Sequence, residues 1–271
     1  MSYVSPASPG ELTTCLGQPG RAILIAGGTD LLIGSRGLPV DASIVDLGRL
    51  AGMRNLERIG GALVVGAGVT VARLARDPLV RRHAPALADA ADQFGSVQIR
   101  NRATIGGNVA NGSAAADLTP ALVAMAATAD LMSGEGVRPV MVEALLTARP
   151  VVPPGTVITA FRIPVLAEGG LGAFVKLGRR QEPTISRLTL AASGPRGQVT
   201  LVAGALGLAP LRLGSAGAAL NAGGEGFAEA LALDVAAAIP GRASLPYKAR
   251  AVRALGLDLL LRLGLAGEAE T

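Results

Sequence analysis

Two short glycine-rich segments carry most of the chemistry this sequence can do. The first is Leu24-Ile25-Ala26-Gly27-Gly28-Thr29-Asp30-Leu31. The second is Thr104-Ile105-Gly106-Gly107-Asn108, with Asp117 nine residues further on. Paired glycines carry no Cβ, so the main chain and its N–H groups can approach an anion closely. In the first segment an apolar run enters the glycines and a helical turn follows, which aims amides at a phosphate. Thr29 adds a hydroxyl. Two such segments about eighty residues apart suit one extended, phosphate-containing cofactor gripped from two sides.

The second segment continues to Pro120 as a run of small and polar residues. It reads as irregular, with no helical or strand period, and long irregular segments in compact domains are usually functional. Asp117 stands just before a helix start at Pro120; capping that helix is its structural alternative.

Other chemistries are poorly supported. Val64-Val65-Gly66-Ala67-Gly68 opens like a dinucleotide fingerprint, but the third small residue falls at Val71. The acidic residue about twenty positions on, Asp89, lies in a helical pattern rather than at a strand end. There is no G-x-x-x-x-G-K-[ST], no His-Glu-x-x-His and no G-x-S-x-G. Cys15 is the one cysteine and His83 the one histidine. No internal disulfide, iron–sulfur cluster or structural zinc site is therefore expected. His83, in Arg81-Arg82-His83-Ala84-Pro85, reads as a solvated helix end.

The net charge is +5, carried by scattered arginines; Lys176 and Lys248 are the only lysines. With no Trp, two Tyr and four Phe, base stacking has little to work with, and nucleic-acid binding is not expected. Half the 271 residues are hydrophobic, enough for a globular chain. Residues 1–10 show no signal peptide. The apolar stretches 201–220 and 255–267 are broken by Pro210, Arg212, Asp258 and Arg262, so no membrane span and a cytoplasmic location are expected.

Stepwise patterning predicts strands at 22–26 and 42–46, with a helical turn at 30–35 between them and a weak helix at 11–17. A hairpin is expected over 56–66, turning at Gly60-Gly61. Thr70 is the expected cap of a helix at 71–76, and Asp77 of one running from Pro78 to about Phe94. A helix at 121–127 and strands at 137–142 and 156–163 follow. Three strands (173–177, 188–193, 199–206) and then helices (225–233, 235–238, 247–263) make a separate α+β lobe. The expected division is 1–55, 56–167 and 168–271, with the last boundary in the turn-like Ala167-Glu168-Gly169-Gly170.

These pieces resemble the FAD-binding, medium subunits of the molybdenum hydroxylases, the family of xanthine, carbon monoxide and nicotinate dehydrogenases. The matching residues are Ala26 to Leu31, Ile99 to Asn108 and Asp117-Leu118-Thr119-Pro120. To these add Phe174-Val175-Lys176-Leu177-Gly178-Arg179-Arg180 with Ile185-Ser186, and Arg242-Ala243-Ser244 with Tyr247-Lys248. They occur in family order and span nearly the whole chain.

The resemblance implies two N-terminal α/β subdomains of the PCMH-type FAD-binding fold, then a C-terminal lobe of antiparallel sheet plus helices. It implies that Leu24 to Leu31 hold the FAD pyrophosphate and that Thr104 to Asn108 grip the cofactor from the other subdomain. Asp117 would bond towards its polar part, Phe94 would contact the adenine side, and Ile158 and Lys176 would lie near the cofactor, Lys176 by the flavin ring. FAD would be non-covalent, since neither Cys15 nor His83 lies in a glycine loop. The molybdenum cofactor and two [2Fe-2S] clusters would reside on large and small partner subunits. Electrons would arrive from those clusters and leave to an external acceptor such as NAD or a quinone. The motif Gly178-Arg179-Arg180 with Ile185-Ser186 leans towards the purine and N-heterocycle branch. The rival readings are a self-contained flavin oxidase of the related fold and a cofactor-less assembly subunit.

Overall fold

The computed structural model describes residues 2–17, 22–33, 42–178 and 185–265. Arg179 and Arg180 of the branch motif, and residues 34 and 35 of the first expected helical turn, lie outside the described residues. The first sheet is parallel, in the order β1-β3-β2, from β1 (Ser2–Val4), β2 (Ala22–Ile25) and β3 (Ser43–Asp46). Parallel neighbours need a crossover, and α1 (Pro9–Leu16) lies in the connection from β1 to β2. Ser8 caps it by accepting from the Glu11 N–H, and Glu11 accepts from the Ala7 N–H in return.

The second sheet is antiparallel, in the order β4-β5-β8-β6-β7. Its hairpin of β4 (Leu56–Ile59) and β5 (Ala62–Gly66) turns at Gly60-Gly61, as the sequence predicts. A run of helices follows: α2 (Val71–Arg76), α3 (Pro78–His83), α4 (Pro85–Asp92), α5 (Val97–Arg102), α6 (Ile105–Asn111) and α7 (Leu118–Ala124). Then come β6 (Thr128–Ser133), β7 (Gly136–Met141), α8 (Val142–Thr147) and β8 (Val157–Pro164). Thr70 and Asp77 cap α2 and α3 through the N–H groups of Arg73 and Leu79. The helix expected from 78 to 94 is two helices: Pro85 cannot continue the ladder and Ala84 leaves helical geometry at φ −142°.

The third sheet is antiparallel, built from β9 (Leu171–Leu177), β10 (Leu188–Gly194), β11 (Thr200–Gly204) and β12 (Leu211–Arg212). Helices α9 (Gly214–Asn221), α10 (Phe227–Ala238) and α11 (Leu245–Leu263) complete it. Strand side chains alternate faces, and this sheet uses both. Phe174, Ala191 and Val202 join the core of the first two sheets, where α4 lies on β9 and α7 on β10 and β11. Val175, Leu190, Ala192 and Leu201 face the other way into a second core closed by α10 and α11. Buried on both faces, these strands read as continuous apolar runs rather than alternating ones. Among the described residues no helix is long and apolar enough to cross a membrane.

Candidate functional site

The first glycine segment leaves β2 at the carboxyl end of the parallel sheet, the end at which such sheets bind ligands. Gly27 is forced by a close approach: a Cβ there would lie 2.1 Å from the Arg102 carbonyl oxygen. Gly28 has φ +71°, a conformation that penalises any side chain. Leu32 donates to the Gly28 carbonyl and Ile33 to that of Asp30, closing the turn. Among the described residues nothing accepts from the amides of Gly27, Gly28, Thr29, Asp30 or Leu31. Five successive donors remain available to an anion.

The second segment differs from its sequence-based reading in two respects. It is not irregular: residues 105–111 form α6, capped by Thr104 and closed by Gly112 in the left-handed region. Its period was hidden by small residues. Ile105 and Val109 are buried four positions apart, while Thr104, Gly107, Asn108 and Asn111 form the i, i+3, i+4, i+7 stripe on the other side. Nor are its amides free. Ile105 donates to the Val69 carbonyl at 3.0 Å and Gly106 to that of Ala67 at 2.9 Å. Gly107 donates to Thr104 Oγ1 and Asn108 to the Thr104 carbonyl. Gly106 lacks a side chain for packing, since a Cβ would meet Ala67 at 2.7 Å.

The two segments wall one cavity of about 390 Å³. Leu24, Ile25, Ala26, Gly27, Gly28, Thr29, Asp30 and Leu31 form one side; Thr104, Gly107 and Asn108 form the other, with Phe94 between. Among the described residues of the lining, Asp30 is the only charged one. The Asn108 Oδ1 is buried without a hydrogen-bond partner, an acceptor that something else must satisfy. Ala103, Ala110 and Asn111 also line the cavity and were not predicted, because the helical period that brings Asn111 to this side is masked by small residues.

Ile105, Gly106, Asp117, Ile158 and Lys176 are not in this lining. Ile105 is core, and Ile158 sits opposite Leu131 in the five-stranded sheet at 5% exposure. Neither Cys15 nor His83 lines the cavity. His83 is not solvated as the sequence suggested. It is 9% exposed, and loss of hydration, with Arg58 and Arg82 nearby, lowers its pKa.

Asp117 and Lys176 form a second arrangement. Both side chains are buried, and Lys176 Nζ lies 2.7 Å from Asp117 Oδ2. Ser186 donates to the other Asp117 oxygen, and Lys176 also donates to the Gln93 carbonyl at 3.1 Å. Asp117 begins α7 but makes no side-chain capping bond; its carboxylate is bonded by Lys176 of β9 and by Ser186 in the segment before β10. Gln93 adjoins Phe94, which connects this ion pair to the cavity wall through one peptide bond. Among the described residues no cluster of metal-ligating side chains exists.

Residues 1–166 match the family described as "FAD binding domain in molybdopterin dehydrogenase". The nicotine 6-hydroxylase medium subunit of Paenarthrobacter nicotinovorans is 34% identical over 50% of this chain, and the match spans about half, 48%, of that relative's length. The xanthine dehydrogenase FAD-binding subunit of Escherichia coli O157:H7 is 31% identical, covering 94% of this chain and 92% of the relative. In structure, a chain of the carbon monoxide dehydrogenase from Hydrogenophaga pseudoflava superposes with a TM-score of 0.84 at 27% identity, covering 98% of each chain.

Proposed function

This chain belongs to the family of FAD-binding domains of molybdopterin dehydrogenases, and from that premise we propose that it is the medium, FAD-carrying subunit of a molybdenum hydroxylase. The observation that carries the reading is the cavity between the first glycine loop and α6, with five unused amides on one side and the unsatisfied Asn108 Oδ1 on the other. These residues fit the cofactor. The amides of Gly27 to Leu31 suit a pyrophosphate, held by backbone dipoles, and among the described residues the lining offers no cation. Asn108 Oδ1 would accept from a hydroxyl or amino group of the dinucleotide, and Phe94 offers an apolar face to its adenine end. No cysteine or histidine lines the cavity, in keeping with non-covalent attachment.

When bound, FAD exchanges electrons both singly and in pairs, which lets it connect one-electron and two-electron carriers. The chain's own contribution is positional. The Asp117–Lys176 pair, clamped by Ser186 and the Gln93 carbonyl, fixes a cation at the inner end of β9. The family resemblance would set this lysine by the flavin ring, where its positive end, partly offset by the paired Asp117 carboxylate, would favour developing negative charge. We place the molybdenum cofactor and the [2Fe-2S] clusters on large and small partner subunits, with an external acceptor beyond this chain. The cytoplasm is the proposed compartment. The purine and N-heterocycle branch is the proposed branch, supported by the sequence motif at 178–186.

A titration of the purified chain with FAD, FMN and ADP tests this. FAD should bind most tightly, ADP measurably, and FMN weakest, because FMN lacks the pyrophosphate and adenosine. Equal affinity for FMN and FAD would overturn it. A self-contained oxidase would turn over substrate without partners; the account predicts no turnover by the isolated chain.

A further inference from the structure

Three cationic side chains lie near one another on the C-terminal lobe. Lys248, on α11, donates to the Ala205 carbonyl at 2.6 Å. Arg242, in the turn before α11, donates through one Nη to the Leu206 carbonyl at 3.0 Å. Arg187, just before β10, lies with its guanidinium carbon 5.9 Å from the centre of the Tyr247 ring. Among the described residues none of the three is in an ion pair. Loss of hydration and then the charges of Arg242 and Arg187 push the Lys248 pKa down, so the three act on one another.

Part of the arrangement is structural. Ala205 has φ +61°, and its N–H donates to the Ala114 carbonyl, so Lys248 and Arg242 hold the carbonyls of a strained turn. That uses one donor of an ammonium's three and one of a guanidinium's five. It uses none of Arg187. Like charges held together repel, and an anion between them relieves the repulsion. Guanidinium forks beside an ammonium suit a tetrahedral oxyanion. Tyr247, 41% exposed and covered on one side by Arg187, adds a flat surface of the kind a planar base uses. None of these residues lines the cavity of the glycine segments.

We propose that Arg187, Arg242 and Lys248, beside Tyr247, form a second anion site that takes a phosphate group. The phosphate is either free or the ester of a nucleotide. The test is calorimetry on the FAD-loaded chain, so that the dinucleotide cavity is filled, with inorganic phosphate and with ADP as separate probes at low salt. Both should bind, and both should weaken at least tenfold in Arg187→Gln, whose lost side chain makes no backbone hydrogen bond. Lys248→Gln should weaken both as well, and Lys248→Arg should retain binding, with melting temperatures recorded for each variant. ADP tighter than phosphate, with the difference lost in Tyr247→Leu, assigns the nucleotide ester; equal affinities assign free phosphate. No binding of either probe at millimolar concentration overturns the proposal, as does binding unchanged in both Arg187→Gln and Lys248→Gln. The flavin absorbance of the starting protein is read separately. Failure to load FAD counts against the cofactor reading, and the phosphate arm still decides this one.

Discussion

Asn108 and His83 each make a test at the level of one side chain. The Asn108 Oδ1 has no partner among the described residues, so its removal breaks no described bond in the empty protein but deprives a ligand of an acceptor. Asn108→Ala should weaken FAD about tenfold, roughly 1.4 kcal/mol, while the melting temperature without FAD stays the same or rises. Fluorescence titration and a thermal melt separate the two effects. A matching loss of stability would mean that Asn108 serves the fold. His83 makes a pH prediction. Its folded pKa lies below the ordinary 6.5 because burial disfavours the charged ring. Between pH 6.5 and that lower value the unfolded chain takes up a proton that the folded chain does not. Stability should therefore fall as pH drops through that window. Denaturation midpoints at pH 7.5 and 5.5 should differ more for the natural chain than for His83→Gln.

The junction between the first loop and the turn before α6 is what unites two segments distant in sequence. Gly27→Ala puts a methyl against the Arg102 carbonyl, a backbone group that cannot swing aside, and should cost about 1–3 kcal/mol by overpacking and abolish FAD binding. Gly107→Ala is the contrasting case. Its Cβ would meet only Thr104 Oγ1, at 3.0 Å, inside the cavity wall. Alanine should support α6 by up to about 1 kcal/mol yet weaken FAD. Chemical denaturation and flavin titration of both variants would show whether the glycines serve packing and binding as assigned. The contrast also marks what the sequence made legible. Both glycine segments and the Thr70 and Asp77 caps could be read from residue type and spacing, whereas Phe94 came only from the family resemblance. The helical nature of 105–111 could not, because two glycines, an alanine and two asparagines mask a period carried by Ile105 and Val109 alone. The engagement of the α6 amides was equally hidden, since their acceptors, Ala67 and Val69, come from a connection with no local signal. The chain also returns to His83 at Leu166, whose N–H donates to the His83 carbonyl, a long-range contact with no local signal.

Across the whole molecule, the third sheet is the element that joins the parts. Phe174, Ala191 and Val202 complete the core beneath α4 and α7, so residues 1–167 alone would leave those helices with bare apolar faces. A chain ending at 167 should bind a hydrophobic dye and aggregate, whereas the full chain should not; a monomeric, dye-free fragment would contradict this packing account. The same sheet supplies Lys176 to Asp117, so its loss would also remove the fixed cation from the proposed flavin site. The central claim, that this chain carries FAD without a covalent bond, is tested most directly by the visible spectrum of the purified chain before and after denaturation. The account predicts oxidised-flavin absorbance that separates from the protein on denaturation and is identified as FAD. A colourless chain whose spectrum and melting temperature are both unmoved by added FAD would contradict it.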